Sequence, residues 1–307
     1  MKRDTHALFF DIDGTLVSMA THASPQSTVD ALEKAKAAGH KIFIATGRPL
    51  SIIDNVGAVE HLVDGYITTN GAHCIVDGKT VNMIPIPPDE VDIVLDDARQ
   101  YGYSCVVVSE HHFFVFQPHE DVDRIFRQQL NITRFDLVEP LEVVMKEPVL
   151  QFNPFIPVEH EPVLMAKLKE CLCQGRWHPE FTDITTRHAD KGRALATIAD
   201  HVGIPLERTV AFGDGGNDIS MVERAGVGVA MGNGIAELKA VADMVTSSVD
   251  DDGVARALQE LGLIWTARSS RCHSCGVPRS ADTGRRSCLC RVPAPAARRA
   301  AAGRHLI

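Results

Sequence analysis

The chain has 307 residues, 45% of them hydrophobic and 23% charged, with a net charge of −9, enough for two globular domains that each bury a core. The charge is divided: residues 1–264 carry a net −17 and residues 265–307 a net +8. A body that acidic repels nucleic acid and anionic membrane surfaces, so any phosphate pocket has to be built locally. No apolar run of about eighteen residues occurs, and Asp4 precedes any signal-peptide core, which predicts a cytoplasmic protein with no membrane partner.

In chain order, Ala7–Phe10 is a short apolar run suited to a strand buried on both faces. Ser24-Pro25 offers an N-cap followed by proline at the first helical position, Ala31, Leu32 and Ala35 mark one helix face, and Gly39 stops the helix. "KIFIAT" then supplies a second strand, completing a βαβ unit. From Ile84 the texture changes. Pro85, Pro87 and Pro88 form a linker, and Val91, Val94, Leu95 and Ala98 predict a helix. Strands are expected at Ser104–Val108 and Phe113–Gln117, a helix at Val122–Leu130, a strand in "VLQFNPFI" and a helix over Val163–Cys171. After this insert, Ala194, Leu195, Ile198, Ala199 and Val202 line one helix face, and Thr209–Phe212 forms a further strand.

The expected fold class is α/β: a doubly wound, Rossmann-like parallel sheet from residues 1–83 and 188–264, interrupted by an α/β cap at 84–187. Residues 265–307 are Arg-, Ala-, Ser- and Pro-rich and are expected to be disordered. Their cysteine pairs, Cys272-x-x-Cys275 and Cys288-x-Cys290, leave zinc binding open, but the second pair is one residue short of the usual spacing. Cys74, Cys105, Cys171 and Cys173 read as buried thiols of a reducing compartment.

Ligands of open parallel sheets sit beyond the carboxyl ends of the strands. Asp11 closes the first strand, Thr46-Gly47-Arg48 the second and Gly213-Asp214 the late one, while Lys191 begins the preceding helix. Asp11, Asp13 and Asp214 gathered at one point would repel one another unless a cation joined them. Mg²⁺, which takes oxygen ligands and keeps waters for a phosphate, fits that need. Each residue taken alone has a plainer reading. Asp13-Gly14 is also an ordinary turn, Thr46 also a helix cap, and Lys191 also a solvated surface group. "GVGVAMG" fails as a dinucleotide fingerprint because Met231 stands in place of the last glycine, and His111-His112 lack metal-ligand spacing.

Together, "DIDGT", "ATGR", a later lysine and "GDGGND" resemble the motif set of the haloacid dehalogenase superfamily, in the order of its Cof-type (IIB) phosphatases with a large C2-type cap. "QFNPFIP", "GRWHPEFTDITTRHADKG" and "FGDGGNDISM" are similar to the hexose-phosphate phosphatases of that group. The resemblance implies a Mg²⁺-dependent phosphatase acting on small phosphomonoesters, sugar phosphates foremost, through an aspartyl phosphate. It makes Asp11 the nucleophile and Asp13 the acid and base, with a pKa near the working pH. It assigns phosphate contacts to Ile12, Thr46, Gly47, Lys191 and Asn217, and the metal to Asp11, Asp214 and Asp13, the last by its main-chain carbonyl. Asp218 would orient Lys191 or a metal-bound water. Arg48, Asn70 and Arg176, with Trp177, are candidates for substrate contact, although Arg176 reads equally as an ion-pair member. A phosphotransferase or mutase would share these core residues, whereas intact Asp11 and Asp13 argue against the other alternative, a non-catalytic phosphosugar sensor. The only expected partner is the small phosphomonoester, with no nucleic acid, and the chain is expected to be a monomer or weak homo-oligomer.

Overall fold

In a computed structural model of the chain, residues 4–129, 132 and 140–265 are described. Residues 266–307, with their cysteine pairs, and Leu130 at the end of an expected helix lie outside these. Two sheets share one compact unit that ends at Ile264.

The first sheet holds eight strands: β1 Ala7–Phe10, β2 Lys41–Ala45, β3 Gly65–Thr68, β4 His73–Val76, β5 Lys79–Met83, and later β11 Thr209–Gly213, β12 Val227–Ala230 and β13 Met244–Val245. Their order is β13-β12-β11-β1-β2-β3-β4-β5, parallel from β13 to β3 and antiparallel across β4 and β5. Phe10 lies opposite both Ile44 of β2 and Phe212 of β11, so the ends of these three strands share one edge. Every residue of β1 is buried, because side chains alternate across a sheet covered on both faces. Leu8 and Phe10 pack with Ala31, Leu32 and Ala35 of helix α1, Gln26–Ala37. Phe9 packs on the opposite face with Ala194, Leu195 and Ile198.

The first helix does not use the serine expected to cap it. Pro25 is the N-cap, with an extended backbone, and no side chain bonds the first turn. Ser24 is therefore one residue too far out, and its buried hydroxyl finds no partner among the described residues. The late helix, α3 at Lys191–His201, is capped as such helices usually are: the Asp190 carboxylate accepts from the Arg193 amide at 2.8 Å.

The chain leaves the first sheet after Met83. The Ile84 amide still bonds Ala72, whereas that of Ile86 bonds Val149 of the second sheet. This sheet is antiparallel throughout, in the order β7-β6-β8-β10-β9, built from β6 Cys105–Ser109, β7 Phe113–Phe116, β8 Val149–Pro154, β9 Leu172–His178 and β10 Phe181–Thr186. Helix α2, Pro88–Tyr101, covers one face through Val91, Val94, Leu95 and Ala98, which pack with Val107 and Phe152. The other face carries Val106, Val108 and Phe181, against which Ile52 of the first sheet's loop packs. Two expected helices differ. Val122–Leu130 becomes a short helix at Glu120–Asp123 followed by a π-helix at Arg124–Gln129. Val163–Cys171 shrinks to Glu161–Met165.

Cys74 and Cys105 are free and buried, while Cys171 and Cys173 are free but only half-buried. Among the described residues no helix is long and apolar enough to cross a membrane.

Candidate active site

At the end of β1 the Asp11 amide bonds the Phe212 carbonyl at 3.0 Å, which carries the sheet ladder one residue beyond the strand. The chain then turns back on itself, the Ile12 carbonyl accepting from the Val17 amide at 2.8 Å. Gly14 makes this turn at φ +87°, and a Cβ there would lie 2.2 Å from an Asp214 carboxylate oxygen. No other residue fits.

Helix α3 brings Lys191 to the same point. Gly192 packs so tightly on helix α4, Ile219–Arg224, that a Cβ would come within 2.2 Å of the Ser220 carbonyl oxygen. This close approach sets Lys191 beside Asp218. The Lys191 Nζ donates to Asp11 Oδ1 and to Asp218 Oδ1, both at 2.7 Å, with its side chain wholly buried. The other oxygen of Asp218 accepts from the amides of Asp214 and Gly215, each at 3.0 Å. Asp11, Asp214 and Asp218 place carboxylate oxygens within 4.8 Å of one another.

The electrostatics follow from this crowding. Burial pushes the Asp214 carboxyl up to about 6, with repulsion from Asp218 adding to it. Burial likewise raises Asp11 well above the usual carboxylate range, against the pull of Lys191. Burial opposes the charge on Lys191, but Asp11 and Asp218 outweigh it and hold the ammonium protonated. One ammonium cannot balance three carboxylates. The oxygen-only donor set and its uncompensated charge fit a hard divalent cation.

The Asp13 side chain lies outside that cluster. Arg48 grips it with two bonds of 2.8 Å, Nε to Oδ2 and Nη2 to Oδ1, and Asn55 adds a third at 3.3 Å. Thr46 is buried just past β2, its hydroxyl accepting from the Arg48 amide at 3.1 Å. The plainer capping role is not realised: Pro49 is the N-cap of the short helix Leu50–Ile52 and no side chain bonds its first turn, because the Thr46 hydroxyl is spent on Arg48, ahead of the helix. Asn217 donates to Asn70 Oδ1 at 3.0 Å, and Asn70 Nδ2 donates to Asp183 Oδ2 at 3.3 Å, joining the two sheets.

Above this edge lies a cavity of about 690 Å³, walled on one side by Asp11, Asp13 and Thr46 and on the other by Val106, Asn153 and Asp183 of the second sheet. Arg176 reaches the wall, but its guanidinium is occupied by Glu161 at 2.7 Å and by the carbonyls of Ile156 and Pro179 at 3.0 Å. As in the plainer reading, it is an ion-pair member. Of Trp177 only its place in β9 is described.

Sequence reasoning overlooked three contributions. Asn55 reaches Asp13, and Asn233 donates to the Gly14 carbonyl at 2.9 Å and to Asp214 at 3.3 Å. Asn233 sits in "AMGNG", just beyond β12, where the rule for parallel strand ends could have found it. The third is the polar set of the second sheet, Gln151, Asn153 and Asp183.

Residues 8–258 match the family model of the haloacid dehalogenase-like hydrolases. The structure of the HAD subclass IIB sugar phosphatase BT4131 is 44% identical with a TM-score of 0.77, covering 85% of this chain and 100% of its own. BT1666 of Bacteroides thetaiotaomicron, described among the phosphatases of that superfamily, is 34% identical with a TM-score of 0.74, over 85% of this chain and 96% of its own. The 5-amino-6-(5-phospho-D-ribitylamino)uracil phosphatase YitU of Bacillus subtilis is 30% identical over 271 residues, 85% of this chain and 98% of that one. With the family model matching residues 8–258 and these relatives covering 85% of its length, the chain belongs to the haloacid dehalogenase-like hydrolases and is a phosphatase.

Proposed function

We propose that the protein hydrolyses sugar monophosphates, hexose phosphates foremost, with Mg²⁺ as its cation and an aspartyl phosphate on Asp11. The observation that carries this reading is the Asp11 carboxylate itself. It is buried at the sheet edge, bonded to Lys191 and grouped with Asp214, facing a cavity large enough for a sugar.

An Asp11 oxygen attacks phosphorus, and the sugar oxygen leaves with a proton from Asp13. Asp13 then takes a proton from water, which attacks the aspartyl phosphate and frees phosphate and the Asp11 carboxylate. Asp13 must be handed from Arg48 to the leaving oxygen before it can donate, so substrate entry is expected to loosen that pair. The Thr46 hydroxyl, the amides of Ile12 and Gly47, the Asn217 amide group and Lys191 hold the phosphoryl oxygens, since such transfers depend mainly on positioning and charge. Mg²⁺, held by Asp11, Asp214 and the Asp13 main-chain carbonyl, would offset charge on the transferring group. Asp218, its oxygens engaged by Lys191 and two amides, acts by holding Lys191 in place. In this reading residues 84–187 serve as the cap that shuts water out of the cavity.

The test is phosphate release from a panel of hexose, pentose, triose and nucleotide monophosphates, with Mg²⁺ and with EDTA. Turnover of several sugar phosphates that EDTA abolishes is expected. Metal-independent turnover overturns the mechanism.

A further inference from the structure

The loop that follows β2 touches both Asp13 and the second sheet. Its start is pinned to the first sheet, the Arg48 amide bonding the Thr46 hydroxyl and the Arg48 carbonyl accepting from the Thr69 amide, each at 3.1 Å. Its end is pinned as well, because Ile53 and Val56 join the core of the first sheet. Between these anchors runs the short helix Leu50–Ile52, and its last residue turns the other way. Ile52 is 5% exposed and belongs to a cluster whose other members, Val106, Phe113 and Phe181 among them, all lie within residues 106–181.

The same loop holds Asp13 through two side chains. Arg48 donates to both carboxylate oxygens at 2.8 Å, and Asn55 Nδ2 donates to Oδ1 at 3.3 Å. Among the described residues Oδ1 therefore has two donors, and Oδ2 has Arg48 alone. When an entering substrate loosens Arg48, Asn55 still holds Oδ1 and Oδ2 is released. A carboxyl anchored by one oxygen keeps its direction, which proton delivery over hydrogen-bond distance requires. Asn55 itself lies in the stretch between Ile52, seated against the second sheet, and Val56, seated in the first core.

Resting on the reading of Asp13 as the acid, we propose that Ile52 and Asn55 are positioning residues for it: Ile52, seated against the second sheet, sets the loop, and Asn55 aims the Asp13 carboxyl at the leaving oxygen. In the first transfer the bond from Asp11 to phosphorus forms, the bond from phosphorus to the leaving oxygen breaks, and that oxygen takes the proton from Asp13 Oδ2. A leaving group that is stable as an anion needs this proton little, and a basic one needs it most. Misaiming Asp13 therefore penalises basic leaving groups selectively. The seat of Ile52 thus makes proton transfer depend on how the second sheet meets the first, in addition to any exclusion of water.

The test measures kcat/KM with Mg²⁺ for p-nitrophenyl phosphate and for phenyl phosphate, whose leaving group is the more basic, in the wild type, Ile52→Ala, Ile52→Val, Asn55→Ala, the Ile52→Ala/Asn55→Ala pair and Asp13→Asn. This parameter covers only the steps up to departure of the phenol, so it reports the acid role of Asp13 apart from its later role as base. The ratio of the two substrates cancels any loss of folded protein or of binding that both share. Asp13→Asn is expected to widen the ratio most. Ile52→Ala and Asn55→Ala should each widen it about three- to tenfold, and Ile52→Val should leave it near the wild-type value. The pair should exceed either single variant only slightly, because both act through one loop. A ratio unchanged in both single variants while Asp13→Asn widens it overturns the inference and leaves the reading of Asp13 intact. Effects that multiply in the pair also overturn it, since the two residues then act by separate routes. Should Ile52→Ala not fold, the ratio in Asn55→Ala decides. A ratio unchanged even in Asp13→Asn overturns the assignment of Asp13 as the acid, and the inference with it.

Discussion

The two walls of the cavity are built in different ways. On the first sheet, Asp218 is fixed by two main-chain amides and an ammonium, Asp11 by the same ammonium, and the turn at Gly14 by contact with Asp214. On the second, Asp183 is held through the side-chain amides of Asn70 and Asn153. A main-chain amide stays in place whatever residue bears it, whereas a side-chain amide is lost in one substitution. The first wall therefore suits chemistry shared by every substrate, and the second suits a preference that sequence change can retune.

The largest effect expected from breaking this contrast is on the first wall. Asp11→Asn removes the proposed nucleophile while keeping its shape, and phosphate release should fall by about 10⁴-fold or more. Gly192→Ala tests how Lys191 is held without touching it. Its Cβ would meet the Ser220 carbonyl at 2.2 Å, so α3 must shift and carry Lys191 away from Asp11 and Asp218. We expect a loss of about 10²-fold in kcat, since a displacement of about 1 Å can cost that much, together with a lower melting temperature.

The charge on the first wall gives a pH prediction. The Asp214 carboxyl lies at about 6, above its ordinary range, because of burial and then Asp218. A carboxyl raised in the folded state lends stability that is present below about pH 4 and is lost as pH rises through about 6. A bound cation reverses the sign by favouring the ionised form. The melting temperature with EDTA should thus drop relative to that with Mg²⁺ as pH rises from about 5 to about 7, by a few degrees. Asp214→Asn should flatten the difference. A gap that does not change across this range counts against a shared cation.

The same contrast explains what could be read from the sequence. Asp11, Thr46 and Asp214 are far apart in the chain, yet a parallel sheet of adjacent β11, β1 and β2 puts their strand ends together, so recognising the strands was enough to gather the site. Gln151, Asn153 and Asp183 gave no such signal. Their meeting depends on antiparallel register, where a slip of one residue turns every side chain to the other face. The partner of Asp13 was likewise hidden, because Arg48 lies in a loop whose direction no periodicity describes. The polar letters at every second place in "VLQFNPF", within a strand buried throughout, were the only hint that one face of the insert serves a ligand.

The smallest expected effect lies at Asn70, the residue that links the walls, and isolating it requires separating its backbone from its amide. Asn70 holds φ +54° and ψ +27°, a left-handed conformation that asparagine tolerates and alanine resists. Asn70→Ala therefore mixes backbone strain with the loss of the bonds to Asn217 and Asp183. Asn70→Gly keeps the conformation and removes only the amide. If the link aligns the sugar wall with the phosphate wall, Asn70→Gly should raise KM for hexose phosphates a few-fold, and Asn70→Ala should show the same rise with an added loss of stability of about 1 kcal/mol. Equal KM values in Asn70→Gly and the wild type would mean that Asp183 is held well enough without Asn70, and that the two walls act on the substrate independently.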